Sequence, residues 1–312
     1  MRAEFIGVME TESAREIVHP VYADYVLDSL MAWRREGLST ALVTLVGIDG
    51  SSPRPLGSQI AVASDGRAVG AVTGGCAEQA IVLDALTAMA NGRNHLELYG
   101  NGSRFKDITL PCGSGVYLYF DVTLADRRLH ELVEAHQSRR ITRYVCEGPQ
   151  GVFEHIYRPQ NRLLIIGSGH IVPALAQLSR LSEYDTIIVS PDDWTRRACA
   201  GFGQVLPLIS ADDLDGDIID AFSAVVSLFH DHDLEPDILS RALASKAMYI
   251  GALGSRRTHL RRIEQLTGNG WPIDALDRIH GPVGVDIGAQ TPPEIAMAIM
   301  AEIIGVARKV KP

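Results

Sequence analysis

A chain of 312 residues is long enough for two domains, and 46% hydrophobic with 21% charged residues is the make-up of a folded protein. The formal charge of −9 argues against a nucleic-acid partner, because the phosphate backbone is held by clustered Lys and Arg. No apolar run approaches the ~20 residues of a membrane span, and the N-terminus lacks the apolar core of a signal peptide, so a cytoplasmic protein without membrane contact is expected. Cys76, Cys112, Cys146 and Cys199 form no Cys-x-x-Cys pair, which suggests neither a zinc ribbon nor a disulfide framework.

In chain order, YADYVLDSLMAWRREG predicts an amphipathic helix ending at Gly37, and STALVTLVGI a buried strand. SQIAVASDGRAVGAV places Asp65-Gly66 between two β-type runs, the signal of a two-residue hairpin turn. Gly74, Gly75 and Cys76 then make a strand-to-helix turn; Val82, Leu83, Leu86, Met89 and Ala90 form the stripe of the following helix, stopped by Asn91-Gly92. Strands at HLELYG and GVYLYFDV, a helix at LADRRLHELVEAHQS and two strands around EGPQG complete an α+β half, assigned to residues 1–158. From residue 159 the pattern alternates strictly between short β-branched runs and helical segments, beginning with RLLIIG and a helix from Gly169 to Leu181. That alternation predicts a Rossmann-like, doubly wound parallel sheet over 159–312. Its last helix is marked by a Thr291/Glu294 capping box, Pro292 at the first helical position and the stripe Ile295, Ile299, Ile303 and Val306.

Glycines and cations concentrate at the turns. In IIGSGHIVPALA, Gly167, Gly169 and His170 stand where the first parallel strand meets its helix, the place where a backbone approaches a phosphate. The third glycine of that fingerprint is missing, with Pro173 read in its place, and Ser190 ends the second strand where a ribose-binding acid is expected; Asp192 or Asp193 can substitute. His230 and His232 in LFHDHD follow a central strand, as metal or proton-transfer candidates or as a polar loop capping the next helix. Arg256 and Arg257 open a helix where they can pair with phosphate, whereas Arg261 and Arg262 read as solvated surface. Asp286 lies in the irregular loop GPVGVDIGAQ, either a binding segment or a structural turn. In the N-terminal half, Arg54 in GSSPRPLG and the Gly74-Gly75 turn offer anion-binding chemistry. Cys76 and Cys112 stand beside glycines, Cys76 at a helix start that favours a thiolate, or else as small packing residues.

GSSPRPLG, TGGCAEQ, LPCGSG, IIGSGHIVPALA, YIGALGSRRTHLRRI and GPVGVDIGAQTPPEIAMAIMAEI, in this order, resemble the XdhC/CoxI family of molybdoenzyme maturation factors. The resemblance implies a cofactor carrier rather than a turnover enzyme. Such a carrier binds molybdenum cofactor, as molybdopterin or its dinucleotide, holds it for sulfuration by a cysteine desulfurase and delivers it to an apo-enzyme of the xanthine dehydrogenase type. It further implies a homodimer, a soft contact to molybdenum from Cys76 or Cys112, and a cofactor site drawing on Arg54, Gly74, Gly75, Gly167, Gly169, His170, His230, Arg256 and Asp286. A separate nucleotide in the Rossmann half is a further expectation. Two other readings use the same residues: an NAD(P)-dependent oxidoreductase with His230 as acid/base, and a non-catalytic nucleotide-sensing module.

Overall fold

The computed structural model describes residues 23–75, 77–104, 113–214, 218–229 and 234–309. They divide into two compact units, with the boundary between Arg158 and Pro159.

In the first unit, helix α1 (Leu27–Arg35) is followed by strands β1 (Thr40–Asp49), β2 (Gln59–Ala63) and β3 (Ala68–Gly70). Helix α2 (Glu78–Asn91), β4 (His95–Gly100), β5 (Gly115–Asp121), α3 (Asp126–Gln137) and the pair β6 (Thr142–Gly148) and β7 (Gly151–Tyr157) complete it. Five strands make one antiparallel sheet in the order β3-β2-β1-β5-β4, and β6 and β7 form a separate hairpin. β1 is central and alternates between two cores. Ala41, Val43 and Leu45 face a cluster with Ile81 and Ala85 of α2, whereas Leu42 and Val46 face one with α1, α3 and the hairpin residues Tyr144 and Tyr157. Burying both faces explains the unbroken apolar run that marked this strand in the sequence.

Two local expectations change. The β2–β3 connection is longer than a two-residue turn: the Ala63 amide donates to the Arg67 carbonyl at 2.9 Å, and only Gly66 takes a positive φ, 91°. Asp65 is not left-handed; it accepts from the Arg67 amide and pairs with the Arg67 side chain, closing the turn with side-chain bonds. On α2 the buried stripe is Ile81, Ala85 and Ala88, while Leu83 is 62% exposed. The helix docks through alanines, which let its backbone approach the sheet, so the largest apolar residues do not mark the buried face.

The second unit begins with β8 (Arg162–Gly167), α4 (Ile171–Leu181), β9 (Asp185–Ser190), α5 (Asp193–Ala198) and β10 (Gln204–Pro207). There follow β11 (Ser223–Leu228), α6 (Glu235–Ala244), β12 (Tyr249–Ala252), α7 (Arg256–Gly268), α8 (Ile273–Leu276), β13 (Ile279–His280) and α9 (Pro292–Ala307). All six strands are parallel, in the order β10-β9-β8-β11-β12-β13. This is the strand order of dinucleotide-binding folds, with the topological switch between β8 and β11. Helices cover both faces: α4 and α9 pack over Leu163, Ile165 and Val226, and α6 and α7 over Leu164, Ile166 and Val225. The Thr291/Glu294 capping box forms as the sequence predicts, with Pro292 at the start of α9. No helix of the described residues is long and apolar enough to cross a membrane.

Candidate functional site

In the first unit the structure brings the 51–57 loop against the turn before α2. The Arg54 Nε donates to the Ala71 carbonyl at 3.3 Å, and a Cβ on Gly74 would lie 3.3 Å from the Pro53 ring. Gly74 and Gly75 both take positive φ, 78° and 106°, so backbone N–H groups converge inside the turn. They converge on a side chain of the same chain. Glu78, the first residue of α2, accepts from the amides of Val72 (3.3 Å), Thr73 (2.8 Å), Gly75 (2.8 Å) and Ala77 (3.2 Å) and from the Thr73 hydroxyl (2.5 Å). Burial alone would raise its pKa, yet the Thr73 hydroxyl and the amides hold its carboxyl below the usual carboxylate range. The cradle expected at Gly74 and Gly75 is therefore already filled by an anion from the chain itself. Arg54 is likewise engaged, its guanidinium paired with Asp24.

Cys76, Cys112, His230 and His232 lie outside the described residues. The other two cysteines are packing residues. Burial, with Asp121 nearby, pushes the Cys146 thiol up to about 12, and burial pushes Cys199 up to about 11. Both stay protonated near neutrality.

In the second unit the glycine turn lies at the carboxyl edge of the sheet, beside the switch point. A Cβ on Gly167 would sit 2.4 Å from the Leu228 carbonyl oxygen, so this glycine lets β8 and β11 approach each other. The Gly169 amide donates to the Thr195 hydroxyl at 3.1 Å. Counted from Gly167, the third fingerprint position is Val172, not Pro173, and Val172 is fully buried in the first turn of α4. At the end of β9, Ser190 is fully buried, and Asp192 caps α5 by accepting from the Thr195 amide (2.7 Å) and hydroxyl (2.6 Å). The Thr195 hydroxyl and amide hold Asp192 below the usual carboxylate range. Asp193 pairs with Arg196. Both acids that were to replace the ribose reader are thus engaged locally. His170 is exposed and lies 4.7 Å, ring to ring, from Trp194, which is itself 44% exposed at this edge.

Further along that edge, Arg256 and Arg257 are exposed at the first turn of α7, behind the Ser255 cap, and pair with no carboxylate among the described residues. Arg261 is exposed, but Arg262 corrects the expectation of a surface residue. Its guanidinium is 4% exposed and grips Glu235, equally buried, at 3.1 and 3.2 Å, and donates to the Leu253 carbonyl at 2.6 Å. Glu235 also accepts from Ser227 at 2.8 Å, so the pair ties α6 and α7 to the carboxyl end of β11. Asp286 is exposed in a loop held at both ends by carboxylates of α9. Glu302 takes the Tyr249 hydroxyl (2.6 Å), His280 Nδ1 (2.9 Å) and the Gly284 amide (2.8 Å), while Glu294 takes the Gln290 and Thr291 amides, both at 2.9 Å. Among the described residues no group of three His, Cys, Asp or Glu side chains is placed to hold a metal ion.

Glu78, Glu302, Trp194 and the Glu235–Arg262 pair received no role from sequence reasoning. Only Glu78 carried a readable signal, an acid in the first turn of a helix behind two glycines. The partners of the others come from distant segments.

Residues 163–303 match the XdhC Rossmann domain, and residues 33–100 match the XdhC and CoxI family. The chain is 33% identical over 304 residues to the molybdenum cofactor insertion chaperone PaoD of Escherichia coli (strain K12), spanning 92% of this chain and 88% of that one. It is 24% identical over 337 residues to a probable xanthine dehydrogenase subunit of Bacillus subtilis (strain 168), covering 91% and 97% of the two. Among solved structures, a protein of Bacillus halodurans described as a xanthine dehydrogenase shares the fold, with a TM-score of 0.77 and 22% identity over 91% of this chain and 96% of that one. The protein belongs to the XdhC/CoxI family.

Proposed function

We propose that this protein binds the molybdenum cofactor, holds it for sulfuration by a cysteine desulfurase, and delivers it to an apo-enzyme of the xanthine dehydrogenase type, acting as a cytoplasmic homodimer. The observation that carries the reading is the relation to an insertion chaperone along 92% of the chain. The chemistry of the donors agrees with it. The cofactor is anionic at its phosphate and thiophilic at its metal, which calls for cations and one soft ligand. Arg256 and Arg257, exposed without a carboxylate partner among the described residues, suit the phosphate. Cys76 suits the metal, with Cys112 as the second candidate thiol. A carrier must also release its cargo, which favours a single thiolate over a closed cage. When bound, the cofactor supplies the redox centre of the client enzyme; the residues of this chain hold and orient it.

The strand order of the parallel sheet keeps a dinucleotide ligand in view, since it is the order that binds NAD in other proteins. Against a ribose-bound dinucleotide stand the buried Ser190, Asp192 engaged with Thr195 and Asp193 paired with Arg196 at the end of β9. Incubating the purified protein separately with molybdenum cofactor, NADH, NADPH and common nucleotides decides between the two. The expected result is stoichiometric retention of the molybdenum cofactor at roughly micromolar affinity, lost in Cys76→Ser. Dinucleotide binding with hydride turnover, and no retention of molybdenum, overturns the reading.

A further inference from the structure

We propose that Trp194 and His170 form a stacking subsite for a planar nitrogen heterocycle, a pterin or a nucleobase, at the carboxyl edge of the parallel sheet; as a subsite for cofactor it rests on the reading of this chain as a carrier. The chain has three tryptophans. Trp33 is 6% exposed and Trp271 gives its indole N–H to the Ser240 hydroxyl at 3.0 Å, whereas Trp194 leaves 44% of its surface open. The exposed rings of Trp194 and His170 come from different segments and are locked together by the fully buried Thr195. Its hydroxyl donates to Asp192 at 2.6 Å and accepts from the Gly169 amide at 3.1 Å. With residues 169 and 195 bonded, their chain neighbours stand ring beside ring, centroids 4.7 Å apart and planes inclined at 48°. On the other flank Arg196 pairs with Asp193 and donates to the Ser190 carbonyl at 2.6 Å. The backbone is thus held on both sides of Trp194, and the rings are in place before a ligand arrives, which lowers the ordering cost of binding.

Place and chemistry together select the ligand. Open parallel sheets bind beyond the carboxyl ends of their strands, beside the switch in strand order. His170 follows β8, which borders that switch, and Trp194 follows the adjacent β9. No free carboxylate awaits a ribose here, since Ser190 is buried and Asp192 and Asp193 are engaged. The edge offers an indole face and an imidazole instead. A pterin and a nucleobase both present a π face to the indole, and their carbonyl and amino groups suit the imidazole nitrogens, which make no hydrogen bond among the described residues. A protein partner needs a surface of roughly 20–30 residues a side, so two rings fit a small planar ligand better.

The test uses the full chain as wild type, Trp194→Ala, Trp194→Phe and His170→Ala. The probes are unsubstituted pterin and the monophosphates of cytidine, guanosine and adenosine, with affinity read by calorimetry. The second readout is the proton NMR of the probe, whose ring protons move upfield when they lie over an indole face. An unchanged urea midpoint reports that a variant is folded, and the exposed His170→Ala gives a comparison that leaves α5 untouched. At least one probe is expected to bind the wild type with upfield shifts, and the pterin and nucleotide arms name its source. Trp194→Ala weakens that binding about tenfold or more and abolishes the shifts, and His170→Ala weakens it several-fold. Trp194→Phe, which keeps a π face, stays within a few-fold of the wild type. Wild-type affinity in both folded alanine variants overturns the subsite, even where molybdenum cofactor is retained, and so does a wild type that binds none of the probes. Ring binding that depends on Trp194 in a chain that retains no molybdenum cofactor upholds the subsite and removes the carrier reading instead.

Discussion

Arg262 and Glu78 show how a charged residue acquires meaning from what surrounds it. Within the run Arg256, Arg257, Arg261 and Arg262, helical spacing puts one arginine of the second pair toward the sheet, where it meets Glu235. A buried ion pair adds little net stability against an apolar replacement, but removing one partner strands the other charge. Arg262→Ala should therefore destabilise the second unit by about 3–5 kcal/mol, read as a lower urea midpoint of its unfolding transition. Arg262→Met combined with Glu235→Leu should recover most of that loss. A single substitution costing no more than the double one would show that Glu235 is not left stranded. Glu78 is the converse case, an anion whose partners are backbone amides and so leave no trace in side-chain chemistry. Arg54, read as an anion ligand, turns inward to Asp24 and Ala71 and locks its loop.

Among the elements, the β6–β7 hairpin braces the 51–57 loop from beneath. Its His155 ring lies where a Cβ on Gly57 would be 2.4 Å from Nδ1, and it meets Tyr157 edge-on with centroids 4.4 Å apart. Burial pushes His155 down to about 4 from its ordinary 6.5. The folded chain therefore keeps the ring neutral, while the unfolded chain takes up a proton near pH 6.5. The stability this confers is present above about pH 6.5 and is lost as the pH falls from 6.5 toward 4, by at most on the order of 3 kcal/mol. The urea midpoint of the first unit should fall across that window, and His155→Gln should flatten the fall. An equal fall in the variant would assign it to other groups. The elements themselves were largely legible: the strict alternation after residue 159 announced the parallel sheet, and Thr291 with Glu294 announced α9. The α2 stripe misled because periodicity weights large residues, whereas close docking on the sheet selects Ala85 and Ala88. The Asp65-Gly66 turn misled because side-chain bonds from Asp65 close a longer loop. The engaged glycine turns were illegible for a related reason, since Gly169 meets Thr195 only after α5 has packed.

At the scale of the molecule, two units with separate sheets and separate cores divide the work differently from the sequence motifs. The motifs scatter anion-binding glycines across both halves, but the structure commits Gly74 and Gly75 to the turn around Glu78 and Gly167 to strand packing. What is left open among the described residues is exposed chemistry at the carboxyl edge of the parallel sheet, namely Arg256, Arg257, His170 and Trp194. The first unit contributes a turn braced by the Glu78 carboxylate. Exposed cations at the carboxyl edge suit the proposed role of a carrier. The most direct test is transfer: the protein is loaded with molybdenum cofactor, separated from free cofactor, and mixed with an apo-enzyme of the xanthine dehydrogenase type. Molybdenum is expected to leave this chain, appear in the enzyme and switch on its activity faster than the same amount of free cofactor does. Molybdenum that stays with the chain, or activation no faster than from free cofactor, would contradict it.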